Sequence, residues 1–145
     1  MTSNAKWRWV AFGGLGVMLL GSVLPWAKVS AGILSVTQNG TEGDGLLTLV
    51  LAIIGIVFFG LLKNGRNRAI ILLIVAGLAG AIAIYDIINF TLKAASVERS
   101  EGIVSASVEF GLWLTAFGAV AATVAAIALI AGSRGGDSKP APERG

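Results

Sequence analysis

Four long apolar runs, each bounded by charged residues, constrain this 145-residue chain more than any other feature. The runs extend over about 9–27, 45–62, 69–92 and 110–132, and each is close to the roughly 20 residues that a helix needs to cross a hydrocarbon core of about 30 Å. Hydrophobic residues make up 55% of the chain and charged residues only 13%. Backbone groups at membrane depth must be hydrogen-bonded within helices or a closed barrel. We therefore expect an all-α transmembrane fold, a four-helix membrane bundle that forms a single domain over 1–132.

The distribution of basic residues predicts the orientation of this bundle. Eight of the 11 lysines and arginines lie before the first run, between the second and third, or after the fourth. Because cytoplasmic loops carry the excess of Lys and Arg, we expect a multi-pass plasma membrane protein with both termini cytoplasmic. The tail over 133–145 is rich in Gly, Ser, Pro and charge, which predicts a disordered cytoplasmic segment. The net charge of +3 is explained by this topology, so we expect the lipid bilayer, and no nucleic acid, as a partner.

Aromatic residues near both ends of the first run bear on whether it is a helix of the mature protein. Trp7 and Trp9 at one end, and Trp26 at the other, are placed like interfacial anchors of a retained helix. The alternative is a cleaved signal peptide with its cleavage site at Val29–Ala31. The three tryptophans favour retention.

The two outer connections have the alternation that is typical of strands. In the first, alternation over 33–38 precedes the dipeptide Asn39-Gly40, a strong hairpin signal because both residues tolerate positive φ. The second, over 102–109, alternates in the same way. Since an isolated hairpin is only marginally stable, we expect the two connections to combine into a small extracytoplasmic β-hairpin or sheet that caps the bundle. Asp44 is expected to N-cap the second helix, which would begin at Gly45.

The third run contains one carboxylate, Asp86, whose depth decides its interpretation. It follows Arg68 by about 17 uncharged residues, or roughly 26 Å of helix, which places it near the outer boundary. Asp86, Asn89 and Lys93 then form a candidate polar site on one helix face. We expect Asp86 to accept hydrogen bonds from the outer loops or to pair with a lysine. The alternative is the mouth of an ion or proton path, the usual suspicion for an intramembrane acid.

Small residues recur at spacing four in the fourth run. Gly118, Ala122 and Ala126 form a candidate face for close helix packing or for a partner, since small residues allow close backbone approach in lipid. We expect this face to pack inside the chain's own bundle, with the third helix as a natural neighbour. A dimer or partner interface is the alternative.

The composition excludes several kinds of site. With no histidine and no cysteine, zinc, iron-sulfur, c-type haem and Ser-His or Cys-His nucleophilic sites lose their usual ligands and bases. We therefore expect no catalytic residues, no metal site and no cofactor, and do not expect an enzyme.

The segment "GSVLPWAKVSAGILSVTQNGTEGDGLLTLVLAIIG" carries a family resemblance. A helix ending in Leu-Pro-Trp, a short strand-like stretch and Gly-Asp-Gly before an apolar helix resemble small uncharacterised four-helix membrane proteins of actinobacteria, best over the first half of the chain. The resemblance implies a fold and a compartment and supplies no activity. The resulting hypothesis is a non-enzymatic accessory or structural component of the cell envelope that binds a membrane-protein partner or forms a homo-oligomer. The alternative is a small oligomeric channel or transporter with Asp86 near its outer mouth.

Overall fold

The computed structural model describes residues 3–101 and 104–134, and it contains four helices and a small sheet. The predicted tail lies outside the described residues beyond 134. The elements in chain order are α1 (Ser3–Val23), β1 (Pro25–Ala31), β2 (Leu34–Asn39), a 3-10 turn (Gly40–Glu42), α2 (Gly45–Leu61), α3 (Gly65–Glu101), β3 (Val104–Val108) and α4 (Phe110–Arg134).

The four helices surround a main core, and a second, smaller cluster consists of Trp26, Ala83 and Leu112. α1 packs on α4 and α2, and α3 packs on α4 and α2. Alanines provide much of the core, together with larger side chains such as Leu15, Met18, Phe59 and Leu72. The connection between α2 and α3 lies at one end of the bundle, and the strands lie at the other, which we call the sheet end.

Two helices are long and apolar enough to cross a membrane, namely Gly65–Ser96 within α3 and Phe110–Ser133 within α4. The apolar helix α2 is shorter, at 17 residues. Of the predicted bounds, those of α2 and α4 agree with the structure to within two residues at each end. Those of α1 and α3 do not.

The first helix is displaced toward the N-terminus relative to the predicted 9–27. It ends at Val23 because proline disfavours helical geometry in the residue before it, and Pro25 begins β1 instead. Trp26 is consequently buried, and its indole N–H donates to the carbonyl of Gly21 at 2.9 Å. It is an internal packing residue and not the interfacial anchor that its position in the sequence suggested.

The third helix is longer than the predicted 69–92. It has 37 residues, or about 55 Å of helix. The predicted bounds followed the apolar residues, which indicate only where a lipid environment would end. The residues from Lys93 to Glu101 include no glycine or proline, so the helix continues through them. α3 also packs against β3.

The predicted sheet is present, but its hairpin turn lies elsewhere. The three strands are antiparallel in the order β2-β1-β3, and Ala31 pairs with Leu34 across a turn at Gly32 and Ile33. Gly32 has φ of +59°, which suits the first central residue of a type II′ turn. The predicted turn at Asn39-Gly40 is wrong, because Asn39 ends β2 and Gly40 begins the 3-10 turn.

Gly40 is required for close packing instead. A Cβ at this position would lie 2.2 Å from the carbonyl oxygen of Ser22 and 2.5 Å from Nε1 of Trp26. A Cβ at Gly45 would in turn lie 2.4 Å from the carbonyl oxygen of Gly40. The two glycines therefore let the chain leave the sheet and enter α2 directly against the end of α1.

Candidate functional site at the sheet end

Polar side chains are rare in the interior of the described part of the chain, and three of the four that are buried there have simple partners. Ser22, Thr48 and Thr115 each donate a hydrogen bond to a main-chain carbonyl three or four residues earlier in their own helix, at 2.8, 2.9 and 3.0 Å. This is a common way for a hydroxyl to be satisfied inside a helix. The fourth buried polar residue is Asp86.

Asp86 is only 4% exposed, and its environment differs from the predicted one. Within the described residues, its Oδ2 atom has no hydrogen-bond partner. The expected loop N–H groups or lysine therefore do not reach this oxygen. Since a buried unsatisfied polar atom is rare in folded proteins, Asp86 is the clearest candidate for a functional side chain.

A cavity of about 160 Å³ lies beside Asp86, between α3 and the segment that leads from β2 into α2. Trp26 and Phe90 provide its aromatic walls, and Gly40 and Gly43 border it. The polar side chains that line it are those of Gln38, Asn39, Asp44, Asp86 and Asn89. All five contain side-chain oxygen atoms, and no lysine or arginine is among the lining residues.

Asp86 has a second acid, Asp44, as an electrostatic neighbour. Both residues line the same cavity, although Asp86 is buried and Asp44 is exposed. Two carboxylates this close repel each other unless a proton or a cation lies between them. The pair therefore forms a small acidic site with Asp86 at its floor and Asp44 toward solvent.

Asp44 has the predicted position before α2 but not the predicted interaction. It is the N-cap residue, yet its side chain makes no capping hydrogen bond. Its main-chain carbonyl accepts hydrogen bonds from Leu47 and Thr48 at 3.0 and 3.2 Å. The carboxylate is not used to cap the helix, and Asp44 lines the same cavity as Asp86.

The candidate polar site taken from the sequence is only partly brought together. Asp86 and the half-buried Asn89 line the cavity. Lys93 is exposed and is not a lining residue. Sequence reasoning assigned Asp44 only a capping role and missed Gln38 and Asn39. A signal was available for Asp44, since the start of α2 and the outer part of α3 are at the same end of the predicted bundle.

The structure places the second candidate set, Gly118, Ala122 and Ala126, in the interior. A Cβ at Gly118 would lie 2.5 Å from the main-chain nitrogen of Met18 and 2.7 Å from the carbonyl oxygen of Gly14. The close neighbour of this glycine is therefore α1 of the same chain. α3 is also packed on α4, as expected.

The acidic site consists of a pair and not of a larger cluster. Among the described residues, no group of three or more His, Cys, Asp or Glu side chains is placed to hold a metal ion. Any cation in the cavity would therefore be held by two carboxylates and by neutral oxygen donors.

Comparison of the chain with protein-family models, with curated proteins and with solved structures found no match.

Proposed function

We propose that this protein is a non-enzymatic, multi-pass membrane protein that binds another component of the cell envelope through the uncovered part of its sheet. The proposal includes four membrane crossings, cytoplasmic termini and a sheet on the outer side of the plasma membrane. The observation that carries it is the exposure of apolar side chains along β2.

The distribution of apolar side chains supports a membrane location. The buried core is rich in alanine, whereas large apolar side chains on the sides of all four helices are exposed, among them Leu20, Ile53, Ile74 and Phe117. Water-soluble proteins rarely expose large contiguous apolar patches. In lipid, small residues at helix interfaces and large ones facing outward are the expected arrangement.

The basic residues support the proposed orientation. Lys6 and Arg8 lie near the start of α1, and Lys63, Arg66 and Arg68 lie at or near the connection between α2 and α3. All five are at the end opposite the sheet. The positive-inside rule then assigns that end to the cytoplasm.

The orientation can be tested by labelling, because the chain has no cysteine. A single cysteine at Ile33 is expected to react with a membrane-impermeant maleimide in intact cells. A single cysteine at Asn64 is expected to react only after the membrane is opened. The reverse pattern would refute the orientation.

The two faces of the sheet differ in chemistry. Adjacent residues of a strand point to opposite faces, and the register aligns Ala31, Leu34 and Val104 on one face and Ser30, Ser35 and Ser105 on the other. One face is therefore mainly apolar, and the other carries serines together with Lys28, Thr37 and Ser107.

The apolar face is covered at one edge only. In β3 the apolar residues are partly buried and the serines exposed, and the neighbouring helix is α3. In β2 every residue is exposed, with Leu34 at 73% and Val36 at 71%. Ile33 at the adjoining turn is fully exposed. β2 is also an edge strand, and edge strands present unpaired backbone groups to a further strand.

These features suit an extended segment of another envelope protein that adds to β2 as a fourth strand. Backbone hydrogen bonds would provide affinity, and pockets for alternate side chains would provide specificity. The bundle interior is filled by buried side chains such as Leu15, Met18 and Phe59. That packing favours a binding role over conduction through a single bundle.

The test is copurification of the tagged protein from its native membrane in a mild detergent. We expect a stoichiometric membrane partner that is lost with Val36→Lys, which places a charge on the apolar face. Ser35→Lys is the matched control, because it adds the same charge to the same strand on the other face. Migration of the wild-type protein alone or only as a homo-oligomer would contradict the proposal, as would equal loss with both variants.

A further inference from the structure

We propose that Asp44 and Asp86 form a binding site for a divalent hard cation, and that calcium is the ion that fits it. The site is separate from the apolar face of the sheet and does not depend on the proposed partner binding. Three properties of the cavity carry the inference, namely its burial, its donors and its access to solvent.

The burial of Asp86 provides the first argument. A carboxylate that is 4% exposed loses most of its hydration, and buried charges are paired or coordinate metals in folded proteins. Asp86 is one of the residues that line the cavity, and its buried Oδ2 atom has no hydrogen-bond partner among the described residues. Asp44, which lines the same cavity, carries a charge of the same sign. The pair therefore lacks a positive charge that an ion can supply.

The donors determine which ion fits. The cavity offers two carboxylates and the side-chain amide oxygens of Gln38, Asn39 and Asn89, without histidine or cysteine anywhere in the chain. An all-oxygen donor set selects hard cations. The combined charge of two carboxylates balances a divalent ion.

Calcium suits this site better than magnesium for reasons of geometry. Calcium accepts six to eight oxygen ligands in flexible arrangements, whereas magnesium requires near-ideal octahedral geometry and gives up its water reluctantly. The cavity volume of about 160 Å³ corresponds to roughly five water molecules at about 30 Å³ each. It can therefore hold an ion together with several water ligands that complete its coordination.

Access completes the argument. Asp44 is exposed and lines the same cavity as Asp86, so an ion can enter this cavity from solvent without passing through the helical core. The indole N–H of Trp26, which also borders the cavity, already donates to Gly21. It does not compete with the ion for the carboxylates.

The first test is a CaCl₂ titration of the purified full-length protein in detergent after treatment with a chelator. Calorimetry is expected to give a dissociation constant on the order of 10⁻⁴ to 10⁻³ M, the range of extracellular calcium modules. Saturating calcium should also raise the unfolding temperature, because a ligand that binds only the folded state stabilises it. Asp86→Asn and Asp44→Asn are each expected to weaken binding at least tenfold.

Glu42→Gln is the matched control, since it removes one acidic charge from the same segment at a residue that does not itself line the cavity. Glu42 is exposed and accepts a hydrogen bond from the main-chain N–H of Asn39, which glutamine can also accept. We expect wild-type affinity from this variant. If Glu42→Gln and Asp86→Asn weaken calcium binding equally, the effect arises from general surface charge, and the proposed site is refuted.

A second measurement locates the ion. Tb³⁺ substitutes for Ca²⁺ at oxygen sites and emits when a nearby tryptophan is excited, and Trp26 borders this cavity. Sensitised emission is expected from the wild-type protein, displaced by excess CaCl₂ and absent from a folded Asp86→Asn variant. Emission that persists in that variant would overturn the proposal. A wild-type protein that binds neither Ca²⁺ nor Tb³⁺ would also overturn it, because the acidic pair would then hold only a proton. The sheet variants Val36→Lys and Ser35→Lys leave the cavity intact, so a failed partner test does not bear on this result.

Discussion

Gly118→Ala tests one of the closest contacts between α1 and α4. The new Cβ would lie 2.5 Å from the main-chain nitrogen of Met18, whereas ordinary contacts of this kind begin at 3.4 Å. Both atoms are part of, or attached directly to, helix backbones, so α1 and α4 must separate locally by about 0.9 Å. A gap of about 0.5–1 Å forfeits a quarter to a half of each neighbouring van der Waals contact. Overpacking of this kind costs about 1–3 kcal/mol.

The matched control is Gly13→Ala, on α1 next to Gly14. Nothing lies within 4 Å of a Cβ at Gly13, so the substitution adds only helix propensity, worth up to about 1 kcal/mol. We expect Gly118→Ala to unfold at lower SDS mole fraction than the wild type, and Gly13→Ala at an equal or higher one. If the two variants unfold together, α1 and α4 do not approach as closely as described, and the reasoning fails.

Three further substitutions test the sheet end. Gly32→Ala places a side chain at φ +59° and should destabilise the hairpin by about 1–2 kcal/mol, seen as faster hydrogen exchange in β1 and β2. Gly40→Ala collides with the carbonyl of Ser22 and the indole of Trp26; we expect a red shift of tryptophan emission, and an unshifted spectrum would contradict the described packing. Asp86→Asn in the presence of a chelator should raise the free energy of unfolding by about 1–3 kcal/mol, because it removes a buried carboxylate without a compensating partner. An unchanged or lower value in SDS or thermal unfolding would argue against that burial.

The helices and the sheet could be predicted from the sequence because their signals are local. Apolar runs between charges indicated four helices, and strict alternation indicated strands in both connections. The ends of α1 and α3 were missed for a physical reason, since apolar length measures the lipid-facing part of a helix and not the hydrogen-bonded helix itself. Pro25 was the available signal for the end of α1.

The hairpin turn was assigned incorrectly because glycine occurs both in tight turns and where two segments pack closely, and the sequence alone does not distinguish these two roles. Asn39-Gly40 is a strong turn signal, yet Gly40 is required for the close approach of Ser22 and Trp26. Gly32-Ile33 is a weaker turn signal, because a β-branched residue follows the glycine. Only the packing of the first helix against the start of the second decides between the two positions, and that contact is not local.

The pairing of Asp44 with Asp86 illustrates the same limit at the candidate site. Asp44 immediately before an apolar helix has a local explanation as an N-cap, and that explanation concealed its tertiary neighbour. In the structure the carboxylate makes no capping hydrogen bond, and Asp44 instead lines the cavity that Asp86 also lines. Three buried hydroxyls at this end are satisfied by main-chain carbonyls, whereas Asp86, the buried carboxylate among the described residues, shares its cavity with another acid. Because the other buried polar groups are satisfied so simply, the unsatisfied acidic pair is best explained as a binding site. The calcium titration tests which ion it binds.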